Sequence, residues 1–402
     1  MTHLDPEIYQ RKLLYKQIYY SLHGELIEQI FAETCDASSL QEHNIDNIRY
    51  EMPIEKDTLP QLYRICTEVK KQLHFKEPID FFLISSNSIN ACSRESNKIE
   101  EAHHIIELNA GLVDIMSENE LRFVIGHEIG HLISRDGHLK ALIRYVCGSE
   151  EEDFDQYISC RLKMYKLLAE LVADRYGYLA CNDEEASIMA MAKLGAGLDI
   201  SRMWVSLDNL LKANKRHLKI IFFQEDEQQY SHPDNPIRIE ALHIFSTSKT
   251  DEQVDRRMQK IEDFLRQLKP HDAVLLKLLA AFGIKLAKLQ DGLSPQTYHA
   301  LIVTMGRMCW FPEDFLEIWR NEDPDQLLQS TIATALDEDM FDRREILTLL
   351  VELTYFDDVI NEQELQYIYE VAEYLQFPKK DVGPIIAQVI REGFNPCVGI
   401  PL

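Results

Sequence analysis

The chain has 402 residues, 46% of them hydrophobic, and its 67 Asp and Glu against 42 Lys and Arg leave a formal net charge of −25. That length exceeds one ordinary core and reads as two or three domains, while the apolar content excludes wholesale disorder. So acidic a balance argues against phosphate-backbone binding as the main task, because that needs a cationic face, and against docking on an anionic membrane.

In chain order, Asp5-Pro6 opens a helical pattern in which Ile8, Leu14, Ile18, Leu22 and Leu26 recur at helical spacing toward Phe31. The polar stretch Asp36 to Asn47 reads as a loop, and Leu59 to about Leu73 as a helix. Pro78 introduces Ile79 to Ile84, rich in β-formers and a strand candidate. Ser85 to Lys98 is polar and turn-like, and His104 to Leu108 is a second short strand. From Ser117 onward the pattern is helical, with breaks near Gly137, Gly148, Asn182, Gly197 and Pro233. Lys249 to Leu268 is a charged amphipathic helix, and Pro270 after it marks the preferred domain boundary. Helical patterns continue to about Arg391, before a loop-like tail from Gly393. Near the end, Asn361 can cap a helix whose third residue is Glu364. A calcium loop is the sharper reading there, but the alternating oxygen ligands and the glycine are missing, so capping is preferred.

The N-terminus lacks the basic start and apolar run of a signal peptide. No stretch reaches the length of about 18 uncharged apolar residues that a membrane span needs. The nearest, Val274 to Leu289, carries Lys277, Lys285 and Lys288 and reads as an amphipathic soluble helix. Eight scattered cysteines without a C-x-x-C pair fit a reducing compartment, so a cytoplasmic location is expected.

The chemistry concentrates in Ser117 to His131. Ser117 and Glu120 have capping-box spacing, so a helix begins there. His127 and His131 lie four apart, and four residues at about 100° each return to within about 40° of the start. Both imidazoles therefore share a face, an arrangement that suits Zn2+. Glu128 flanks that face and can reach a water there without being a ligand, which is the H-E-x-x-H arrangement of zinc peptidases. The apolar flanks Phe123, Val124, Ile125, Leu132 and Ile133 argue against a solvated helix that happens to carry histidines. Downstream, Glu170 and Asp174 again lie four apart, in a run with Leu167, Leu168, Leu171 and Val172. One carboxylate can complete three protein ligands and leave a fourth position for water. The second can accept the far ring N–H of a ligand histidine and fix its tautomer.

His127-Glu128-Ile129-Gly130-His131, with Arg135-Asp136 after it and Glu170-x-x-Ala173-Asp174 downstream, resembles the HtpX and CAAX-prenyl-protease family of gluzincin metallopeptidases. Asn90-Ala91 matches that family's Asn-Ala turn, and Ile105 to Leu108 resembles the edge strand before its zinc helix. Ser231-His232-Pro233 followed by Arg238 resembles its His-Pro…Arg element, so the likeness covers roughly Leu59 to Phe245. It implies that His127, His131 and Glu170 hold one zinc ion per chain and that Glu128 is the general base and acid. It further implies that Asp174 and Arg238 stand behind the ligands, and that His232 is a candidate stabiliser of the oxyanion. Many members of that family carry transmembrane helices around this domain. Here Ala141 to Cys147 is too short to span, and Ser149 to Asp155 is an acidic run that reads as a solvated loop, with partial cover of the cleft as the sharper alternative. In the last third, the segment from Asp357 to Glu364 is similar to the TerB-like all-helical domains; the other reading is a plain bundle for oligomerisation or peptidase control.

The expected fold class is therefore mainly α (α+β), a gluzincin peptidase domain with a small β-sheet beside the H-E-x-x-H helix, followed by an all-helical domain. The expected divisions are an N-terminal helical segment over 1–58, a peptidase domain over 59–268 and a helical domain over 270–402. A soluble zinc endopeptidase is the function expected, with the Ile105 to Leu108 strand pairing with an extended substrate backbone. Its partners would be a peptide or protein substrate and a protein docking on the C-terminal helices, with no nucleic acid and no stable membrane insertion. The rival is a catalytically silent zinc-containing interaction or quality-control protein, against which Glu128 argues because a structural zinc needs no base.

Overall fold

A computed structural model describes residues 4–34, 38–96, 103–148, 154–203, 205–222, 234–265, 270–289, 292–337, 342–356 and 359–393. The chain divides into two compact units, one of residues 1–154 with 161–266 and one of residues 155–160 with 267–402. It is mainly helical, with a small mixed sheet, as the patterning predicts.

The chain enters the first unit through α1 (Tyr9–Ser21), α2 (Gly24–Thr34) and α3 (Ser38–Tyr50). One helix was expected from Asp5 toward Phe31, but the chain breaks at His23, whose φ is 50°. The reason is burial: Leu14, Ile18 and Leu22 pack inside, whereas Leu26 is 55% exposed, so the buried stripe ends with Leu22 although the apolar pattern runs on. The expected loop at Asp36 to Asn47 is largely α3. Its polar side chains grip the sheet, with Asn44 bonded to Asp80 at 2.9 Å and Asn47 to Glu107 at 2.7 Å. A helix whose partners are themselves polar leaves no apolar periodicity to read.

Next come β1 (Met52–Pro53), α4 (Pro60–Gln72), β2 (Ile79–Ile84), β3 (Ala91–Arg94) and β4 (His104–Asn109). The strand order is β1-β2-β4-β3. β4 runs parallel to β2 and antiparallel to β3, with Ile79 opposite His104 and Ala91 opposite Leu108. This corrects the edge-strand expectation. Ile105 to Leu108 is paired on both sides and wholly buried, and the edge belongs to β3, inside the segment expected to be turn-like.

Short α5 (Ala110–Ile115) leads into α6 (Glu118–Ser134), α7 (Asp136–Cys147), α8 (Gln156–Cys181) and α9 (Glu184–Ala196), followed by α10 (Leu207–Ile221), α11 (Asn235–Thr247) and α12 (Asp251–Leu265). Ile65 and Val69 of α4 meet Ile106 and Leu108 of β4, Ile125 and Ile129 of α6, and Ile188 of α9 in one core. Positive φ values at Gly148, Asn182 and Gly197 mark three of the expected breaks. The break expected at Gly137 falls at Arg135 instead, and Pro233 lies outside the described residues.

Besides residues 155–160, the second unit comprises α13 (Pro270–Leu289), α14 (Pro295–Gly306), α15 (Pro312–Trp319), α16 (Pro324–Asp337), α17 (Arg343–Tyr355), α18 (Glu362–Tyr374) and α19 (Lys379–Glu392). Its core joins Leu279 and Phe282 to Leu328, Leu347, Leu350, Ile368 and Val371. Asn361 caps α18 in a full capping box, accepting from Glu364 N at 3.0 Å while Glu364 Oε2 accepts the Asn361 N–H at 2.8 Å. No described helix is long and apolar enough to cross a membrane.

Candidate metal centre

α6 begins where the sequence predicts. Glu120 Oε2 accepts the Ser117 N–H at 2.6 Å, and Ser117 Oγ accepts from Glu120 N at 3.4 Å. Lys193 of α9 donates to the same Glu120 oxygen at 2.9 Å, a buried pair that pins the start of the helix. The helix ends at Arg135, in the left-handed region with φ 57°, and this turn aims Asp136 back at His131.

Glycines set the distance from α6 to α8. A Cβ on Gly126 would stand 2.4 Å from the Ala180 Cβ, and one on Gly130 would stand 2.9 Å from the Tyr176 Cβ. On the facing helix, a Cβ on Gly177 would come within 2.8 Å of Phe123. This close crossing puts Glu170 opposite the two histidines. One atom from each of His127, His131 and Glu170 falls within 4.8 Å of the others.

The two Nε2 atoms of His127 and His131 are 3.2 Å apart, and each lies 3.6 Å from a Glu170 oxygen. Each Nδ1 faces a carboxylate, His127 with Asp174 Oδ1 at 3.0 Å and His131 with Asp136 Oδ2 at 2.9 Å. A ring nitrogen facing an ionised carboxylate carries a proton, so in the neutral imidazole it is Nε2 that offers a lone pair to the site. Two Nε2 atoms so close share either a proton or a cation between them. Ligands about 2.0–2.1 Å from one tetrahedral ion lie about 3.3–3.4 Å apart, so this donor set fits zinc in both chemistry and spacing.

The surrounding field also suits a cation. Burial opposes charge on His131, but the Asp136 hydrogen bond and the charges of Glu170, Asp136 and Glu128 outweigh it and push its pKa up to about 9. Asp174 is 1% exposed, and burial works against its charge. Arg238 and His127 outweigh that burial and hold Asp174 below the usual carboxylate range. Arg238 donates to Asp174 through Nε at 2.8 Å and Nη2 at 2.6 Å, a bidentate clamp, and stands 3.6 Å from Glu170.

Glu128 is 8% exposed and lines a cleft of about 770 Å³ together with His127, His131 and Glu170. Asn90, Ala91, Cys92 and Ser93 border the same cleft, which places edge strand β3 beside the centre. The structure thus brings together His127, Glu128, His131, Glu170, Asp174 and Arg238; His232 lies outside the described residues. Sequence reasoning gave Asp136 no role of its own and passed over Arg11 and Tyr165, both of which hold Asp136. The signal for Asp136 was its place just past the helix end. Arg11 lies 125 residues away in sequence and gave none.

Residues 57–149 match the model of Peptidase family M48, a segment that contains His127, Glu128 and His131 and stops before Glu170. Among curated relatives, a protease HtpX homolog from Trichormus variabilis is 26% identical over 97 residues, covering 24% of this chain and 32% of the relative. The plastoglobule-localized metallopeptidase 48 of Arabidopsis thaliana is 23% identical over 217 residues, covering 51% of this chain and 62% of the relative. A protease HtpX homolog from Burkholderia cenocepacia is 26% identical over 96 residues, covering 24% and 32%. The chain thus spans between about a third and three fifths of the length of these relatives. No solved structure gives a significant match. The chain is similar to HtpX-like M48 metallopeptidases over the segment that carries the H-E-x-x-H helix.

Proposed function

We propose that the chain is a zinc-dependent endopeptidase. The observation that carries this reading is the convergence of His127 Nε2 and His131 Nε2, 3.2 Å apart, on the Glu170 carboxylate, whose Oε2 lies 3.6 Å from the first and Oε1 3.6 Å from the second, close to the spacing of one tetrahedral ion's ligands and in a cleft bordered by an edge strand. His127, His131 and Glu170 would hold the ion. When bound, zinc supplies Lewis acidity toward a water and a scissile carbonyl. Asp174 and Asp136 keep the protons on Nδ1, so both Nε2 atoms stay directed into the site. Glu128 accepts a proton from the attacking water and returns it to the leaving amine. His232 is proposed as a donor to the developing oxyanion. An extended peptide backbone pairs with β3, whose far side has no strand neighbour among the described residues, rather than with β4.

The same proposal keeps the divisions 1–58, 59–268 and 270–402. It also keeps a TerB-like role for the C-terminal helices in control or partner binding, and a cytoplasmic location. Peptide-library profiling of wild type against Glu128→Gln tests it. The variant retains one zinc per chain and loses cleavage; undiminished cleavage refutes the base, and zinc without cleavage in either protein favours the silent rival.

A further inference from the structure

Each histidine of the centre has an aspartate behind it, and each aspartate has an arginine behind it. For His127 the relay is Asp174 and Arg238, both within or next to the catalytic helices. For His131 it is Asp136 and Arg11, and Arg11 sits on α1, outside the segment that matches the family model.

The second relay is as closely built as the first. Arg11 is 3% exposed. Its Nη2 donates to Asp136 Oδ1 and to the Ser134 carbonyl, both at 2.7 Å, and to the Tyr165 hydroxyl at 3.1 Å. Its Nη1 donates to Glu7 at 3.2 Å, and the guanidinium lies over the Tyr165 ring, 5.2 Å from its centroid. The Tyr165 hydroxyl in turn donates to Asp136 Oδ1. With Oδ1 held by two donors, Oδ2 has one orientation left, the one that accepts from His131 Nδ1. Ser134 closes the last turn of α6, so the same guanidinium also fixes the helix end that carries His131.

We propose that Arg11 and Tyr165 are positioning residues of the metal centre, which hold Asp136 so that it fixes the ring and tautomer of His131. Helix α1 is then part of the metal site and not only a cover on it. The inference rests on the zinc reading, and it deepens that reading by assigning a role to a segment beyond the family match.

The test is zinc affinity, measured on the full chain by chelator competition with the metal alone, beside the melting temperature of the metal-free protein. Replacing an outer partner of a metal ligand weakens binding by about 10–100-fold, so Asp136→Asn falls in that range and Arg11→Gln, one bond further out, loses about tenfold. Arg11→Lys recovers part of the loss, because it returns the charge without the fork. Combined with Asp136→Asn, Arg11→Gln adds little, as expected of residues acting through one another. Gln10→Ala breaks the neighbouring tie from α1 to Glu262 and leaves zinc affinity unchanged. Wild-type affinity in folded Arg11→Gln overturns the proposal. Should that variant fail to fold, Tyr165→Phe still weakens zinc by about threefold, and an unchanged affinity there overturns it as well. A wild type that takes up no zinc overturns the metal-centre reading itself, a distinct outcome.

Discussion

Gly126→Ala perturbs the centre without touching a ligand. The new Cβ would stand 2.4 Å from the Ala180 Cβ and 3.1 Å from both the Gly177 Cα and the Tyr176 carbonyl oxygen. Ordinary contact begins near 3.4 Å, and these neighbours are backbone or a bare methyl that cannot rotate away. The two helices must therefore part by about 1 Å at the residue next to His127. Zinc ligands tolerate displacements of about 0.2 Å, so Glu170 drops out of bonding range unless the helices stay put. Overpacking costs about 1–3 kcal/mol, offset by about 1 kcal/mol from replacing a helical glycine. The net expectation is a fold weakened by at most about 2 kcal/mol and a zinc affinity down by more than tenfold. Denaturant unfolding of the metal-free protein and chelator competition read the two numbers separately. A Gly126→Ala protein with wild-type zinc affinity would refute the argument that close helix packing sets the site.

Three further predictions concern other parts of the molecule. Burial works against the Glu107 carboxylate, but hydrogen bonds from Cys92, Asn47 and His43 outweigh it and hold its pKa below the usual range. A carboxyl depressed by folding stabilises above its unfolded pKa of about 4.3, and that contribution is lost as the pH falls through the lower folded value. Glu107→Gln should therefore flatten the acid limb of stability below about pH 5, and parallel limbs for variant and wild type would contradict it. In the second unit, Asn361→Ala removes the cap of α18 and lowers the urea midpoint by the equivalent of about 1 kcal/mol; an unchanged midpoint contradicts the cap. Free zinc at 100 times its dissociation constant raises the unfolding free energy by about 2.7 kcal/mol, and Glu170→Ala abolishes that gain.

What could be read from sequence follows the range of the interactions. His127 and His131, Glu170 and Asp174, and both capping boxes are local pairs at three- or four-residue spacing, and a helix period is enough to place them. Strand β2 announced itself through Phe81, Phe82 and their apolar neighbours, because it packs on the core. Strand β3 did not: it is four residues long, half-buried and on an edge, so its composition is that of a turn. α3 is hidden because its packing partners are polar, and the kink at His23 because the apolar sequence pattern runs on to Leu26 while the burial stops at Leu22. Placing β4 at the edge failed because pairing order depends on β3, which the pattern did not reveal. The Arg11 relay is tertiary throughout, joining the start of the chain to Asp136 and Tyr165, and no local period encodes it.

The most direct measurement is stepwise return of zinc to chelator-stripped protein while peptide cleavage is recorded. Cleavage is expected to be absent in the stripped protein, to rise linearly to one equivalent of zinc, and then to level off. Glu170→Ala should stay inactive throughout. Cleavage that survives stripping, or that returns equally in Glu170→Ala, would contradict a zinc centre built from α6 and α8.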